Sequence, residues 1–323
     1  MILLRREKVR YKTLGRTGIK VSQMCLGTWG IGGQGWSEYS DEERLSAIQT
    51  AVEYGVNFID TAPAYNSGQA ERYVGNAIEK MNNRDKMIIS TKCGNEFVDG
   101  KYYRCGSKKK IMKQCEESLR NLKTDYIDVY LVHFPDPEVE IEETVDAVET
   151  LKKEGKILHA GVSNFTQEQI ERAEKCCDID VFQPQYSLVD RKDEELIQWA
   201  SKRKIGIMSY GSLGGGILTG KYRHLEQFDP SDNRVRYYPY FKEPLFSQSM
   251  ELLKVMDTIG KERNVPVSQI AMNWAAQKEF ISSSIVGAQS ASKVIENCES
   301  FNWELTRDEI DLLDKKSEEL LAY

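Results

Sequence analysis

The sequence predicts an α/β fold: a (β/α)8 TIM barrel with an N-terminal β-hairpin and a long loop after the seventh strand. Three observations carry the prediction. Short apolar runs alternate with amphipathic helical patterns along the whole chain, giving eight strands at roughly 25–40-residue spacing. Helix starts carry capping signatures and helix stops carry glycine. Strand after strand ends on a hydrogen-bonding or ionisable side chain, at the end of a barrel where chemistry is done.

Taken in order, Tyr11 to Ser22 reads as a hairpin around Gly15-Arg16-Thr17-Gly18, followed by a core strand from Gln23 to Trp29. Ser40-Asp41-Glu42-Glu43 is a capping box, and its helix places Leu45, Ile48, Ala51 and Val52 on one face before stopping at Gly55. Strand Val56–Asp60, helix Gln69–Met81 and strand Met87–Lys92 follow. Asn95 to Lys108 reads as a loop rich in aromatic and charged residues. Beyond a helix ending near Asn121 come strand Ile127–His133, helix Ile141–Glu154 and strand Ile157–Ser163. Thr166-x-x-Gln169 caps the next helix; Val181–Tyr186, helix Glu194–Lys204 and strand Gly206–Tyr210 continue the alternation. Gly211 to Pro244 shows no periodicity. Helical patterns at Ser247–Arg263 and Val267–Gln277 precede an eighth strand, Ser284–Val286. A helix from Ser292 and another capped by Thr306-x-x-Glu309 close the chain.

At 323 residues the chain suits one large barrel or two modest domains. No repeat or linker divides it, so 1–323 reads as a single domain. Hydrophobic residues at 40% and charged residues at 29% indicate a globular protein with a sizeable core. A net charge of −6 argues against nucleic acid or an anionic membrane as the main partner, so any anionic ligand needs a local cluster of donors. No apolar run is long enough to span a bilayer, and Met1–Leu4 is too short for a signal peptide. Seven cysteines without a CxxC pair, Cys176 and Cys177 being adjacent, point to a reduced, cytoplasmic protein; Cys93 beside Lys92 reads as a small buried packing residue in preference to a reactive thiol.

The segment Val56 to Gly68, VNFIDTAPAYNSG, organises the site. It ends a buried strand on Asp60 and carries Tyr65 on the loop beyond. Lys92 and His133 end two later strands. A buried carboxylate needs a partner, and Lys92 supplies one. The ammonium is expected to favour phenolate and lower the pKa of Tyr65, making it a proton donor near neutral pH. His133 is placed to hydrogen-bond the same substrate oxygen. Such a group suits charge appearing on oxygen, as when hydride reaches a carbonyl carbon.

Several stretches are similar to the aldo-keto reductase family: NFIDTAPAYNSGQAERYVG, IISTK, LKTDYIDVYLVHFPD, GVSNF, FQPQYSLVDR, SYGSLGGGILTG and IVGAQSASKVIEN. The resemblance runs from about Tyr11 to the C-terminal helix. It implies metal-free, NADPH-dependent reduction of aldehydes and ketones, with NADH possible. By it Tyr65 is the general acid/base, tuned by Lys92 and Asp60, and His133 orients the carbonyl. Ser163, Asn164 and Gln183 would hold the carboxamide and Tyr210 would stack on the nicotinamide. Gly211, Ser212, Leu213, Gly216 and Lys221 would follow the pyrophosphate, with Thr28 and Trp29 near the cofactor. Gly287, Gln289, Ser290, Lys293, Glu296 and Asn297 would meet the adenosine end. Many relatives carry Arg or Lys where Gln289 stands, so the 2′-phosphate charge is expected to come from Lys293 instead. Trp29, Trp36, Phe97 and Phe134 are the expected substrate-facing residues, suited to medium-sized carbonyls over highly charged ones. The partner is a small carbonyl compound, and the oligomeric state is open.

Four rivals remain on the sequence. Gly30-Ile31-Gly32-Gly33-Gln34-Gly35 is a literal GxGxxG after a strand, but the helix opens only at Ser40, too late for a dinucleotide turn. A zinc hydrolase lacks ligands, since the three histidines form no HxH pair. A Schiff-base aldolase would use Lys92 as its amine. A regulatory role like that of potassium-channel β subunits, which are relatives of the family, is the non-enzymatic reading.

Overall fold

A computed structural model describes residues 9–33, 39–225, 235 and 237–321. Tyr11–Thr13 (β1) and Lys20–Ser22 (β2) form the expected hairpin. The barrel strands are Met24–Gly27 (β3), Phe58–Asp60 (β4), Ile88–Cys93 (β5), Ile127–Val132 (β8), Ile157–Ser163 (β9), Val181–Gln183 (β10), Gly206–Ser209 (β11) and Ser283–Gly287 (β12). They are parallel and close in chain order, β12 returning to β3. Between β5 and β8 lies a separate antiparallel pair, Asn95–Val98 (β6) with Lys101–Arg104 (β7).

Strand parity explains both cores. Successive residues of a strand face opposite sides. One parity fills the barrel interior with Cys25, Phe58, Ile88, Val129, Leu131, Val181 and Met208. The other parity, including Met24, Ile59, Ile89, Tyr130, Val162 and Phe182, packs against the helices. Leu14 and Val21 of the hairpin join the interior set. Continuing the inward parity past the apolar layer gives Asp60, then Ser90 and Lys92, then His133, Ser163, Gln183 and Tyr210. The polar site is therefore the next layer up from the apolar plug, at the C-terminal mouth.

The helix starts follow the sequence. Ser40 and Thr166 both close full capping boxes, with Glu43 and Gln169 reaching back. Helices Asp41–Glu53 and Ala291–Glu299 pack together and complete the outer ring. Among the described residues no helix is long and apolar enough to cross a membrane.

Most element ends fall within one or two residues of expectation, and three larger differences bear on the site. The sixth strand stops at Gln183 instead of Tyr186 because Pro184 has no N–H for the ladder; a lone bridge from Gln185 to Tyr210 continues the register. The first core strand is confined to Met24–Gly27. The stretch expected as a loop after Lys92 is the β6–β7 hairpin, turned at Asp99 (φ 49°) and Gly100 (φ 78°). Two consecutive positive-φ residues make the tight turn whose twist matches the strands it joins.

Candidate active site

Three barrel strands and one loop assemble the expected constellation. Asp60 pairs with Ser90 in the β4–β5 register, and Lys92 stands opposite Leu131, two residues before His133. Lys92 is fully buried, and its Nζ donates to Asp60 Oδ2 at 2.6 Å, to the Thr61 carbonyl at 2.9 Å and to Tyr65 Oη at 3.1 Å. Asp60 Oδ1 accepts from Ser90 Oγ (3.1 Å) and from Gln183 Nε2 (2.9 Å). The Tyr65 and His133 rings meet edge to face, centroids 6.1 Å apart. Ser90 and the Thr61 carbonyl were not legible as site groups, because they enter only through the register of neighbouring strands.

The electrostatics correct one expectation. Burial of Tyr65 raises its phenol pKa by more than the Lys92 charge lowers it, so it lies above 10.0. Sequence reasoning had the direction reversed because the depth of the loop under its neighbours is a tertiary fact. The phenol is thus fully protonated at neutral pH. Burial alone would lower Lys92, yet Asp60 and then Tyr65 outweigh it and the pKa is raised. A permanently protonated amine is no nucleophile, which argues against the Schiff-base aldolase.

His133 is neutral: burial, then the charges of Lys92 and Arg104, hold it well below 6.5. Its Nδ1 is buried without a hydrogen-bond partner among the described residues. Above pH 6.5 folded and unfolded imidazoles are both neutral. Below it the unfolded chain binds a proton that the folded one refuses, so stability falls with pH by up to about 1.4 kcal/mol per unit. His133→Gln is therefore expected to lose less stability than the parent between pH 7 and pH 5 in urea melts. Equal losses would show that burial does not hold the ring neutral.

Aromatic side chains wall the mouth. Trp29 stacks at 6.3 Å on Tyr65, and Phe134 at 5.0 Å on His133. Phe97 sits on the β6–β7 hairpin against Tyr102, centroids 4.8 Å apart. Tyr102 is a wall residue that sequence reasoning missed; the Asp99-Gly100 pair was the available signal. Trp36 lies outside the described residues.

The residues expected around the carboxamide and the ring are joined by hydrogen bonds. Asn164, held at φ 60°, donates to the Ser163 hydroxyl (3.0 Å) and the His133 carbonyl (2.9 Å), and accepts from Tyr210 Oη (2.8 Å). Ser163 Oγ donates to the Gln183 carbonyl at 2.8 Å. That acceptor is the main-chain carbonyl of Gln183; its side-chain amide donates one N–H to Asp60, which leaves the side-chain oxygen and the second N–H as the polar groups it could offer a carboxamide. Thr28 takes a bracing place instead of a ligand-facing one: it is fully buried and its hydroxyl donates to the Asp60 carbonyl at 2.9 Å. Ser212 is buried and Lys221 exposed.

Gly211, Gly214, Gly215 and Gly216 all have positive φ, and a Cβ on Gly216 would meet nothing nearer than the Tyr222 ring at 4.0 Å. The Gly214 and Gly216 N–H groups close turns on the Gly211 (2.8 Å) and Leu213 (2.9 Å) carbonyls, and the open side of Gly216 leaves room for a ligand to approach the backbone closely. The residues therefore fit a dinucleotide pyrophosphate. At the adenosine end, the Gln289 side chain lies across Gly30, where a Cβ would come within 2.3 Å of its amide nitrogen. Ser290 N-caps Ala291–Glu299 with its hydroxyl 3.1 Å from that of Ser292, and Asn297 Nδ2 donates to the Gly287 carbonyl at 3.2 Å. Lys293 is not a free cation: it pairs with Glu296 at 2.6 Å, both about two-fifths exposed.

The model of the Aldo/keto reductase family matches residues 23–318. Aldo-keto reductase YhdN of Bacillus subtilis (strain 168) is 35% identical over 303 residues, covering 93% of this chain and 91% of that protein. The NADH-specific methylglyoxal reductase of Escherichia coli (strain K12) is 31% identical over 325 residues, covering 95% and 98%. Among solved structures, the glycerol dehydrogenase AKR11B4 from Gluconobacter oxydans superposes with a TM-score of 0.87 at 28% identity, covering 99% of this chain and 98% of that one.

Proposed function

The chain belongs to the aldo/keto reductase family, and from that premise we propose that it is an NADPH-dependent carbonyl reductase with Tyr65 as general acid. The observation that carries this reading is the hydrogen-bonded line from Asp60 through Lys92 to the Tyr65 hydroxyl, 2.6 and 3.1 Å, beside a neutral His133. When bound, the nicotinamide cofactor supplies hydride to the carbonyl carbon. Tyr65 Oη gives its proton to the oxygen as charge develops there. Lys92, already donating to that phenol oxygen, stabilises the phenolate left behind. Asp60, held by Ser90 and Gln183, keeps the ammonium charged and aimed. His133, neutral, hydrogen-bonds the carbonyl oxygen and fixes its approach.

Ser163, Asn164 and Gln183 position the carboxamide and Tyr210 packs on the ring, with Gly211 to Gly216 along the pyrophosphate. One domain, 1–323, carries the whole site, and the protein works in the cytoplasm with reduced thiols. The test is loss of reduced-nicotinamide absorbance with a panel of aldehydes and ketones. A folded protein that turns over none of them would remove the enzymatic reading and favour a regulatory one.

Cofactor choice rests on Lys293. Its exposed ion pair with Glu296 contributes at most ~1 kcal/mol. A charged hydrogen bond to a 2′-phosphate contributes about 1.5–3 kcal/mol, so the phosphate outcompetes Glu296. After the loss of that ion pair the net is about 0.5–3 kcal/mol, so NADPH is expected to bind roughly 2- to 150-fold more tightly than NADH, and Lys293→Ala to erase most of that difference while leaving NADH binding unchanged. Titrations of both cofactors decide it, and equal affinities in the parent would overturn the assignment. The NADH-specific relative makes this a real contest.

A further inference from the structure

The β6–β7 hairpin has two faces of different chemistry. Register pairs Asn95 with Arg104 and Phe97 with Tyr102, and strand alternation puts these four on one side. Glu96, Val98, Lys101 and Tyr103 take the other, where Glu96 pairs outward with Lys110 at 2.9 Å. The first face looks into the barrel mouth. Its Phe97 and Tyr102 rings contact each other, and Arg104 lies with its guanidinium carbon 3.9 Å from the Phe134 ring centroid. Phe134 in turn stacks on His133 at 5.0 Å. Two short steps thus join the imidazole at the reacting carbonyl to a guanidinium.

Arg104 is fixed but not neutralised. One Nη donates to the side-chain oxygen of the buried Asn95, and Phe134 covers one face of the guanidinium. Among the described residues it makes no ion pair. The carboxylate of nearby Asp136 is engaged by the backbone N–H groups of Gly106 (2.7 Å) and Glu138 (3.0 Å). A cation held over an aromatic ring at a pocket wall, with donors remaining, is the local positive group that a chain of net charge −6 needs for an anionic ligand.

We propose that Arg104 is the specificity-determining residue of this reductase, recognising a carboxylate on the substrate, whose apolar body packs against Phe97, Tyr102 and Phe134. The inference rests on the carbonyl-reductase reading and names its substrate class: aldehydes or ketones with a carboxylate roughly four to six bonds from the carbonyl carbon, at ~1.5 Å per bond. It keeps the medium-sized carbonyls expected from the sequence and adds a single negative charge to them.

The test compares 4-carboxybenzaldehyde with its neutral isostere 4-formylbenzamide. The parent is expected to show a kcat/KM about tenfold to a hundredfold higher for the carboxylate. Arg104→Met should abolish the preference, bringing the carboxylate-to-amide ratio of kcat/KM to about one. Arg104→Lys should recover part of the preference. Equal use of both aldehydes by the parent, or an equal loss for both in Arg104→Met, overturns the proposal. A turnover-free readout separates it from the reductase reading: benzoate and benzamide are titrated onto the NADP+-loaded protein by tryptophan fluorescence. Benzoate binding that is tighter than benzamide binding and lost in Arg104→Met upholds the carboxylate subsite even if neither aldehyde is reduced. Benzoate binding that is no tighter than benzamide binding overturns it.

Discussion

Tyr65→Phe is expected to lower kcat for carbonyl reduction by about 10²-fold or more while leaving the fold and cofactor affinity intact. The substitution removes one oxygen, whose partner in the free protein is Lys92 Nζ at 3.1 Å. The ring keeps its stacking on Trp29 and its edge contact with His133, so the pocket wall survives. What disappears is the only phenol hydroxyl bonded to the buried ammonium among the described residues. Because burial raises that phenol above its ordinary value of 10.0, the proton is present throughout the neutral range. Reduction by the parent is therefore expected to hold its rate from pH 6 upward and to fall only in strong alkali, as the donor is lost. Near-parental turnover by a folded Tyr65→Phe protein would sink the general-acid assignment. A reduction profile that falls between pH 7 and pH 8 would instead show that cofactor or substrate reverses the effect of burial.

How much of this was legible depends on which physical scale fixes each feature. The barrel and its mouth were readable because they rest on local periodicity: short apolar runs, most of them ending on a polar or ionisable side chain. Asp60, Lys92 and His133 were found for that reason, and Tyr65 through the Pro63 and Asn66-Ser67-Gly68 turn that holds it. Features set by strand register were not readable. Ser90 reaches Asp60 because β5 pairs beside β4, and Gln183 because β10 lies across the barrel interior from β4. The β6–β7 hairpin was passed over because its strands are exposed and lack the alternation of a half-buried strand, although Asp99-Gly100 marked the turn. The Tyr65 shift went the wrong way because attraction to Lys92 can be guessed from sequence, whereas the cost of burial cannot. At the adenosine end the Lys293–Glu296 pair sits at helical i,i+3 spacing and was readable in principle.

Lys92→Met is expected to be at least as damaging as Tyr65→Phe to activity, and unlike it to destabilise the fold. Methionine nearly matches the length and volume of lysine, so the buried site is refilled without a large cavity. The loss is electrical. Asp60 Oδ1 keeps Ser90 and Gln183, but Oδ2 loses a charged donor at 2.6 Å, and the Thr61 carbonyl loses its bond at 2.9 Å. Removing one partner of a buried pair typically costs about 3–5 kcal/mol, because the other charge remains without compensation. Tyr65→Phe leaves no such charge behind and is expected to melt close to the parent. Lys92→Met combined with Asp60→Asn removes both charges and should regain much of the stability while regaining none of the activity. Denaturant melts of the three proteins, read beside their aldehyde reductase rates, separate the two roles of Lys92. If Lys92→Met and Tyr65→Phe are equally stable, Asp60 is not a carboxylate that depends on its ammonium. If the double variant is no more stable than Lys92→Met, the cost lies in packing and not in charge.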